Sequence, residues 1–298
     1  MIQLTPEVRR SRLTDQPMEI LQFADGELKA GRQCALVTLV EIDGGAARAL
    51  GAQMTVSENG EYCGYVSGGC VEATVARDAV IAIAKAEDKL LRLGRGSPYF
   101  DIMLPCGGGI TMMIHVIRQA ERIAELVSGL KRREEMALEF RTATGELAVS
   151  ESKQVSGWNG ETFVTGYMPV LQILLYGRGI EPEAFSELAE AAGIAVINAH
   201  EESSVQVDPY TAIVLLQHDI DKDMPVLQRA LATNAFYIGC LGSCQTHQQR
   251  SQRLAELGFL PLQIRRIHAP IGMWGPTRDA RSLAISVLAE ILAHYQKL

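Results

Sequence analysis

The sequence has no apolar run that approaches the roughly 18 residues needed for a membrane-spanning helix. Its first ten residues, MIQLTPEVRR, also lack the continuous apolar core of a secretory signal peptide. We therefore expect a cytoplasmic protein that does not bind membranes.

An excess of positive charge is also absent. The chain has 28 lysines and arginines against 35 aspartates and glutamates, which gives a formal net charge of −7. Its densest basic run, residues 131–133, is followed at once by Glu134 and Glu135, a pattern typical of a solvated helix end. Because the phosphate backbone attracts basic surfaces, we predict no binding to nucleic acid.

Cysteine is too sparse for a disulfide-stabilised scaffold. In a reducing compartment we expect free thiols. With 47% apolar and 21% charged residues, the chain has the composition of a folded globular protein. Its length of 298 residues predicts two domains, which we place at 1–167 and 168–298. The six cysteines are Cys34, Cys63, Cys70, Cys106, Cys240 and Cys244.

The first half mixes helical and extended patterns. Asn59-Gly60 between two extended runs predicts a β-hairpin. The region from about Phe140 to Tyr167 is polar and rich in turns, with one or two strands expected around Phe140 and Phe163. The other expected elements are helices over 18–30, from 70 to about 91 and over 120–130, with strands over 35–42 and 110–117.

The second half alternates strands, glycine turns and helices. This alternation predicts an α/β fold with a doubly wound parallel sheet of the Rossmann-like kind. Strands are expected over 171–176, 195–198, 211–216 and 236–240, and helices over 182–192, 246–257 and 279–296.

The hexapeptide Ser67-Gly68-Gly69-Cys70-Val71-Glu72 is the first candidate for a binding loop. Glycines allow close backbone approach, and the start of a helix presents free amide groups to an anion. The same position lowers the pKa of a thiol, so Cys70 is a candidate thiolate. A tight turn with a small buried cysteine is the alternative interpretation.

The segment Pro105-Cys106-Gly107-Gly108-Gly109 is the second candidate. Three glycines before a strand indicate either a bulge or a backbone crowded by a ligand. If the intervening helix returns to the sheet edge, Cys70 and Cys106 come together. Their spacing does not match a paired CxxC zinc site, and we expect Cys63 to have a packing role.

Gly177 and Gly179 follow a strand and precede a helix, as in a dinucleotide fingerprint. Pro182 replaces the third glycine of that fingerprint, and Asn198-Ala199-His200 stands where an acidic residue would bind a ribose. The pattern favours Rossmann topology more strongly than it favours NAD binding.

Three further segments are expected at the carboxyl edge of the parallel sheet, where doubly wound folds bind ligands. These are Gly242-Ser243, His268 in the segment HAPIG, and His218-Asp219. Ser243 is equally suited to capping a helix, and a structural histidine is the alternative role for His268.

Together these segments resemble the XdhC/CoxI family, whose members are maturation factors for molybdenum hydroxylases. The resemblance extends in order over nearly the whole chain. The segments that carry it are YVSGGCVEA (65–73), LPCGGGI (104–110), QHD (217–219), GS with THQQR (242–250), and RIHAPIG (266–272) followed by SLAISVLAEI (282–291).

The resemblance implies an N-terminal α+β domain of the XdhC/CoxI type, a C-terminal Rossmann-like domain and a homodimer. It also implies binding of the molybdenum cofactor, as molybdopterin or its cytosine dinucleotide form, and delivery to an apo molybdenum hydroxylase. Cofactor sulfuration or nucleotide-transfer enzymes are the other implied partners. The second half departs from the family pattern at Ile180, Cys244 and Trp274.

On these grounds we assign candidate residues to a cofactor site. Cys70 and Cys106 are the candidate ligands of molybdenum, since soft thiolates suit such a metal. The candidate cofactor-binding residues are Ser67, Gly68, Gly69, Cys70, Glu72, Cys106, Gly107, Gly108, Gly177, Gly179, Gly242, Ser243 and His268.

Three functions are compatible with these features. The first, which we favour, is a non-catalytic chaperone that protects the sulfurated cofactor and delivers it. The second is a sulfur transferase with a persulfide on Cys70 or Cys106. The third is a nicotinamide-dependent oxidoreductase, which depends on Gly177 and Gly179 and lacks an evident proton donor.

Overall fold

The computed structural model describes residues 6–69, 71–97, 107–199 and 205–298. Cys70, Cys106 and His200 lie outside the described residues. The chain divides into two compact units, Met1–Pro169 and Val170–Leu298.

The first unit is built on a six-stranded sheet with the order β1-β4-β3-β2-β6-β5. Strand β1 is parallel to β4, and every other neighbouring pair is antiparallel. Its elements are β1 (Arg9–Arg12), α1 (Pro17–Lys29), β2 (Cys34–Asp43), β3 (Gln53–Ser57), β4 (Glu61–Gly64), α2 (Glu72–Lys85), β5 (Lys89–Gly94), β6 (Gly109–Val116) and α3 (Ala120–Lys131).

The predicted hairpin at Asn59-Gly60 is confirmed as the turn between β3 and β4. Gly60 has a φ of +84° and its amide donates to the Ser57 carbonyl at 2.9 Å. The conformation is one that glycine adopts at little cost.

The sequence predicted one long helix from residue 70 to about residue 91, and this length is wrong. Helix α2 ends at Lys85, because Ala86 adopts a left-handed conformation with a φ of 54°. Leu91 and Leu93 are then buried as alternate residues of β5. The apolar residues after Lys85 therefore follow the two-residue period of a strand.

Both faces of the large sheet are covered. One face packs on α2 through Val37, Met54, Ile114 and their buried neighbours. The opposite face packs on α1, α3 and a second sheet through residues such as Leu36, Ile123 and Phe163.

The second sheet of this unit has four antiparallel strands in the order β8-β7-β10-β9, where one or two were expected. Trp158 joins it to the large sheet, since its Nε1 donates to the Val40 carbonyl at 2.9 Å. Val40 lies at the register shift of β2 between Leu39 and Glu41. The strands are β7 (Met136–Arg141), β8 (Glu146–Ser150), β9 (Gly157–Asn159) and β10 (Thr162–Tyr167).

The second unit is the predicted doubly wound α/β fold. Its five strands are all parallel, in the order β12-β11-β13-β14-β15. Its elements are β11 (Gln172–Tyr176), α4 (Ile180–Ala191), β12 (Ala195–Asn198), β13 (Thr211–Leu215), α5 (Ile220–Leu231), β14 (Tyr237–Cys240), α6 (Cys244–Glu256), α7 (Pro261–Ile264), β15 (Ile267–His268) and α8 (Ala280–Tyr295).

The helices are short relative to a lipid bilayer. In the part of the chain that the structure describes, none is both long and apolar enough to span a membrane.

Candidate functional site

Three loops meet at one end of the six-stranded sheet. Strands β2, β4 and β5 run towards this end, and β3 and β6 begin there. Residues 65–69 leave β4, residues 44–51 leave β2, and residues 107–108 lead into β6. We refer to these residues as the sheet-end site.

The first loop is held by Glu72 from the first turn of α2. Its Oε1 accepts hydrogen bonds from the amides of Ser67 at 2.9 Å, Val66 at 3.2 Å and Gly68 at 3.4 Å, and from the Ser67 hydroxyl at 3.0 Å. Gly69 has a φ of +89°, which favours glycine. An internal carboxylate therefore shapes this loop.

Glu72 is ionised despite its burial, with 3% of its surface exposed. Burial alone would raise its pKa, but the hydrogen bonds from Ser67 and Val66 hold the pKa of Glu72 below its ordinary value. Its Oε2 is buried and has no hydrogen-bond partner among the described residues. The sequence analysis expected the amides of this loop to bind a ligand anion, but the described amides donate to the Glu72 carboxylate instead. Direct contacts from Ser67 and Gly68 to a ligand stay a prediction.

The glycines of the second loop lie against protein backbone. A Cβ on Gly108 would be 2.6 Å from the Gly45 carbonyl oxygen, and one on Gly109 would be 2.6 Å from the Arg95 carbonyl oxygen. The sequence indicated either a bulge or a backbone crowded by a ligand. At these two glycines the backbone is crowded, but by neighbouring loops of the protein. By contrast, Gly68, Gly69 and Gly107 have no described atom within 4 Å of a Cβ position, which leaves room at these backbones.

The loop 44–51 lies between the other two, and the sequence analysis did not select it as a binding loop. Its beginning packs on Gly108. Further along, the Arg48 guanidinium lies 5.7 Å from the centre of the Tyr65 ring, just before the first glycine loop. Gly44 and Gly45, followed by Arg48, come directly after the buried strand β2. This pattern could have indicated a binding loop from the sequence.

The thiols proposed for the metal, Cys70 and Cys106, fall outside the described residues. The described cysteines, Cys34, Cys63, Cys240 and Cys244, are free. Burial raises the pKa of Cys34 and Cys240 to about 12 and that of Cys63 to about 11, which suits a packing role. Among the described residues, no three His, Cys, Asp or Glu side chains are grouped to hold a metal.

In the second unit, Gly177 is required by packing. It has a φ of +146°, and a Cβ there would lie 2.2 Å from the Leu216 carbonyl oxygen. Helix α4 begins after Gly179 with Glu181 and Glu183 in its first turn, and Glu181 lies 3.6 Å from His218. Acidic side chains at this helix start disfavour a dinucleotide diphosphate.

Gly242 and Ser243 begin helix α6. The Ser243 hydroxyl accepts from the Thr246 amide at 3.1 Å, so the helix-capping role is present. Gly242 has a φ of +139° and faces Arg250. Whether these residues also bind a ligand stays a prediction.

Arg250, from the THQQR segment, forms a buried ion pair with Asp223. Its Nε and Nη2 lie 2.8 and 2.6 Å from Asp223 Oδ2, and Gln217 donates to Oδ1 at 2.8 Å. The Arg250 and Asp223 side chains are 1% and 0% exposed. Burial raises the pKa of Asp223, although the hydrogen bonds from Gln217 and Arg250 act to lower it. Two residues of the recognised segments, Gln217 and Arg250, thus hold the second unit together.

His268 belongs to a packed polar cluster. Its ring stacks on Tyr237 at 4.7 Å and meets His294 edge-on at 4.5 Å, and its Nδ1 lies 3.7 Å from Glu290. Burial, and then His294, lower the pKa of His268. Glu290 also accepts from the Tyr237 hydroxyl at 2.6 Å. These contacts favour the structural role.

Comparison with family models places the chain. A model described as the XdhC and CoxI family matches residues 27–94, and one described as the XdhC Rossmann domain matches residues 112–291. The chain belongs to the XdhC/CoxI family. The resemblance inferred from the sequence motifs is therefore confirmed.

Relatives within the XdhC/CoxI family extend over nearly the whole chain. The molybdenum cofactor insertion chaperone PaoD of Escherichia coli is 44% identical over 285 residues, which are 94% of this chain and 89% of PaoD. A Bacillus subtilis protein described as a probable subunit of xanthine dehydrogenase is 24% identical over 90% of this chain and 95% of its own.

A solved structure shares the fold. The crystal structure of a xanthine dehydrogenase from Bacillus halodurans superposes with a TM-score of 0.74 over 94% of this chain and 96% of that one. The sequence identity of 17% limits this likeness to the architecture.

Proposed function

We propose that this XdhC/CoxI protein is a molybdenum cofactor chaperone that inserts the cofactor into an apo molybdenum hydroxylase. The observation that carries the proposal is the 44% identity to PaoD across 94% of the chain. A match over 94% of the chain extends over both units.

The sheet-end site suits a cargo that carries anionic groups. The described residues leave room for close approach by a ligand at the backbones of Gly68, Gly69 and Gly107. The positive end of α2 already faces the Glu72 carboxylate, so the positive charge beside this loop comes from the Arg48 guanidinium near Tyr65. The thiols of Cys70 and Cys106 flank the described parts of the same two loops, and soft thiolates suit molybdenum or its sulfido ligand.

A chaperone must bind and release its cargo without changing it. The sheet-end site offers glycine backbone and the Arg48 guanidinium for binding, and the buried Glu72 carboxylate holds the first loop in shape. In the second unit, acidic residues at the start of α4 argue against a nicotinamide cofactor, so hydride transfer has no support there. We infer that the protein is not an enzyme, and that enclosure protects a labile sulfurated cofactor from water.

The proposal is tested by cofactor retention and transfer. Purified protein is incubated with the molybdenum cofactor, freed of excess by gel filtration, and assayed for pterin fluorescence after oxidation and for molybdenum by mass spectrometry. We expect retention by the wild type, a loss in Cys70→Ala and Cys106→Ala, and activation of an apo molybdenum hydroxylase by the loaded protein.

Cys244→Ala is the matched control, because Cys244 is an exposed thiol in the second unit. It should retain the cofactor as the wild type does. No retention by the wild type, or full retention by both of the other cysteine variants, would refute the proposed site. Intact mass after incubation with a cysteine desulfurase separates sulfur transfer, which adds one sulfur to the protein, from simple binding.

A further inference from the structure

We propose that Arg48 binds the phosphate or diphosphate group of the cargo in the sheet-end site. The inference deepens the proposed function and rests on it. It concerns a residue that the sequence analysis did not select, in the loop that lies between the two glycine loops.

The position of Arg48 is set by contacts at both ends of its loop. The loop starts against Gly108, since a Cβ there would lie 2.6 Å from the Gly45 carbonyl oxygen. The far end of the loop packs closely against Ser156 at Gly51, since a Cβ on Gly51 would lie 2.4 Å from Ser156 Oγ. Between these points the Arg48 guanidinium stacks near Tyr65, two residues before Ser67. The charge is thereby placed beside the first glycine loop.

The guanidinium has donors to spare. Nη1 donates to Asp15 at 2.7 Å, whereas Nη2 reaches only the Asp15 carbonyl at 3.5 Å. Nε is buried, and no described residue accepts a hydrogen bond from it. The planar fork of an arginine is suited to paired hydrogen bonds with phosphate oxygens. An acceptor from a ligand would complete a donor set that the protein leaves incomplete.

Two other described arginines at this end of the sheet, Arg92 and Arg95, are already engaged. Arg92 donates to Glu41, Thr111 and the Arg95 carbonyl at 3.0 to 3.1 Å. Arg95 donates to the Gly107 carbonyl at 3.2 Å and lies 3.7 Å from Asp43. Both hold the second glycine loop in place. Arg48 is therefore better able than Arg92 or Arg95 to turn to a ligand.

Asp15 is the group that a bound anion would replace. Its side chain is 51% exposed, and exposed ion pairs contribute little to stability. A phosphate carries more charge than one carboxylate and presents more acceptor oxygens. Exchange of Asp15 for the ligand would allow both tight binding and later release, when Asp15 returns to Arg48.

The experiment compares Arg48→Gln, Asp15→Asn and wild type for retention of the molybdenum cofactor and for binding of inorganic pyrophosphate by calorimetry. We expect Arg48→Gln to weaken both by about tenfold to a hundredfold, the range for hydrogen bonds to charged groups. Asp15→Asn should bind as well as wild type or better, because it frees the guanidinium.

Arg122→Gln is the matched control. Arg122 is also ion-paired, to Glu125, and also has a buried Nε without a partner in the described part of the chain. It lies in the first turn of α3, which follows the opposite end of β6. It should bind both probes as the wild type does.

The outcomes separate three cases. If Arg48 only supports the fold through Asp15, Asp15→Asn weakens binding as much as Arg48→Gln does, and the inference is overturned. Unchanged binding in a folded Arg48→Gln, or no pyrophosphate binding by the wild type, overturns it as well. Arg48-dependent pyrophosphate binding without any cofactor retention supports the anion site and refutes the proposed function instead.

Discussion

The buried pair of Arg250 and Asp223 leads to a quantitative prediction. Substitution of Arg250 by methionine keeps the length of the side chain but leaves Asp223 buried without its cation. Removal of one partner of such a pair costs about 3–5 kcal/mol, because the remaining charge is desolvated and uncompensated. The Arg250 bond to the Leu241 carbonyl, at 2.7 Å, is lost as well.

The assay is urea unfolding of the second unit followed by Trp274 fluorescence. The chain has two tryptophans, so a Trp158→Phe background leaves Trp274 as the single reporter. For a urea m-value of about 1.5 kcal/mol/M, the expected loss lowers the midpoint by about 2–3 M.

Two further variants test the reasoning. Arg253→Met lies on the same helix, but its pair with Asp221 is exposed, so the loss should stay below about 1 kcal/mol. The double variant Asp223→Leu with Arg250→Met should recover most of the stability, because apolar replacement of a whole buried pair is often neutral. A double variant as unstable as Arg250→Met alone, or a single variant within about 0.5 kcal/mol of wild type, contradicts this account.

Three other predictions concern the first unit. Glu72→Ala should lower its free energy of unfolding by about 2–3 kcal/mol and speed amide exchange at Ser67, because the amides around that residue lose their acceptor; Glu72→Gln should lose less. Gly108→Ala should lower the melting temperature more than Gly68→Ala does, since a Cβ at 108 meets backbone at 2.6 Å whereas one at 68 meets no described atom within 4 Å, and neither glycine has a positive φ. Burial of Asp88 raises the pKa of its carboxyl group, but hydrogen bonds from His115 and Val116 outweigh this and hold the pKa below its ordinary value. Asp88 therefore stabilises the fold above about pH 4 and loses this effect at lower pH, so Asp88→Asn should cost about 2 kcal/mol at pH 6 and less below pH 4.

Each of these has an outcome that contradicts it. Unaltered exchange at Ser67 in Glu72→Ala would mean that the carboxylate does not hold the loop. Equal melting of the two glycine variants would mean that the loops separate freely. A stability gap for Asp88→Asn that is the same at pH 3 and pH 6 would exclude ionisation as its source. Asp15→Asn removes a carboxylate that is 51% exposed and serves as the reference for a carboxylate of little consequence.

Much of the fold was predictable from local patterns. Period-two and period-3.6 runs marked most strands and helices, and the regular alternation after residue 170 marked the parallel sheet. The end of α2 was missed, because Lys89–Gly94 is apolar enough to continue a helix and only the sheet makes it a strand. The four-stranded sheet was underestimated, because β8 and β9 are short and mostly not buried, so they show no clear apolar alternation.

The site was predictable only in part. The glycine loops were visible as sequence runs, but the function of each glycine depends on what lies beside it in space. Gly108 is crowded by a loop more than sixty residues earlier in the chain, and the Arg48 contact with Tyr65 depends on strand order. Gln217 and Arg250 stood in motifs that suggested binding, whereas their burial and pairing with Asp223 are properties of the folded unit.

The three loops of the sheet-end site arise from strands whose register is set by pairing elsewhere in the sheet. Insertions or deletions in such connections leave the framework intact. Adaptation to a bulkier or smaller cargo would therefore be expected to appear as differences in loop length at this rim, with the underlying strands unchanged from one relative to the next.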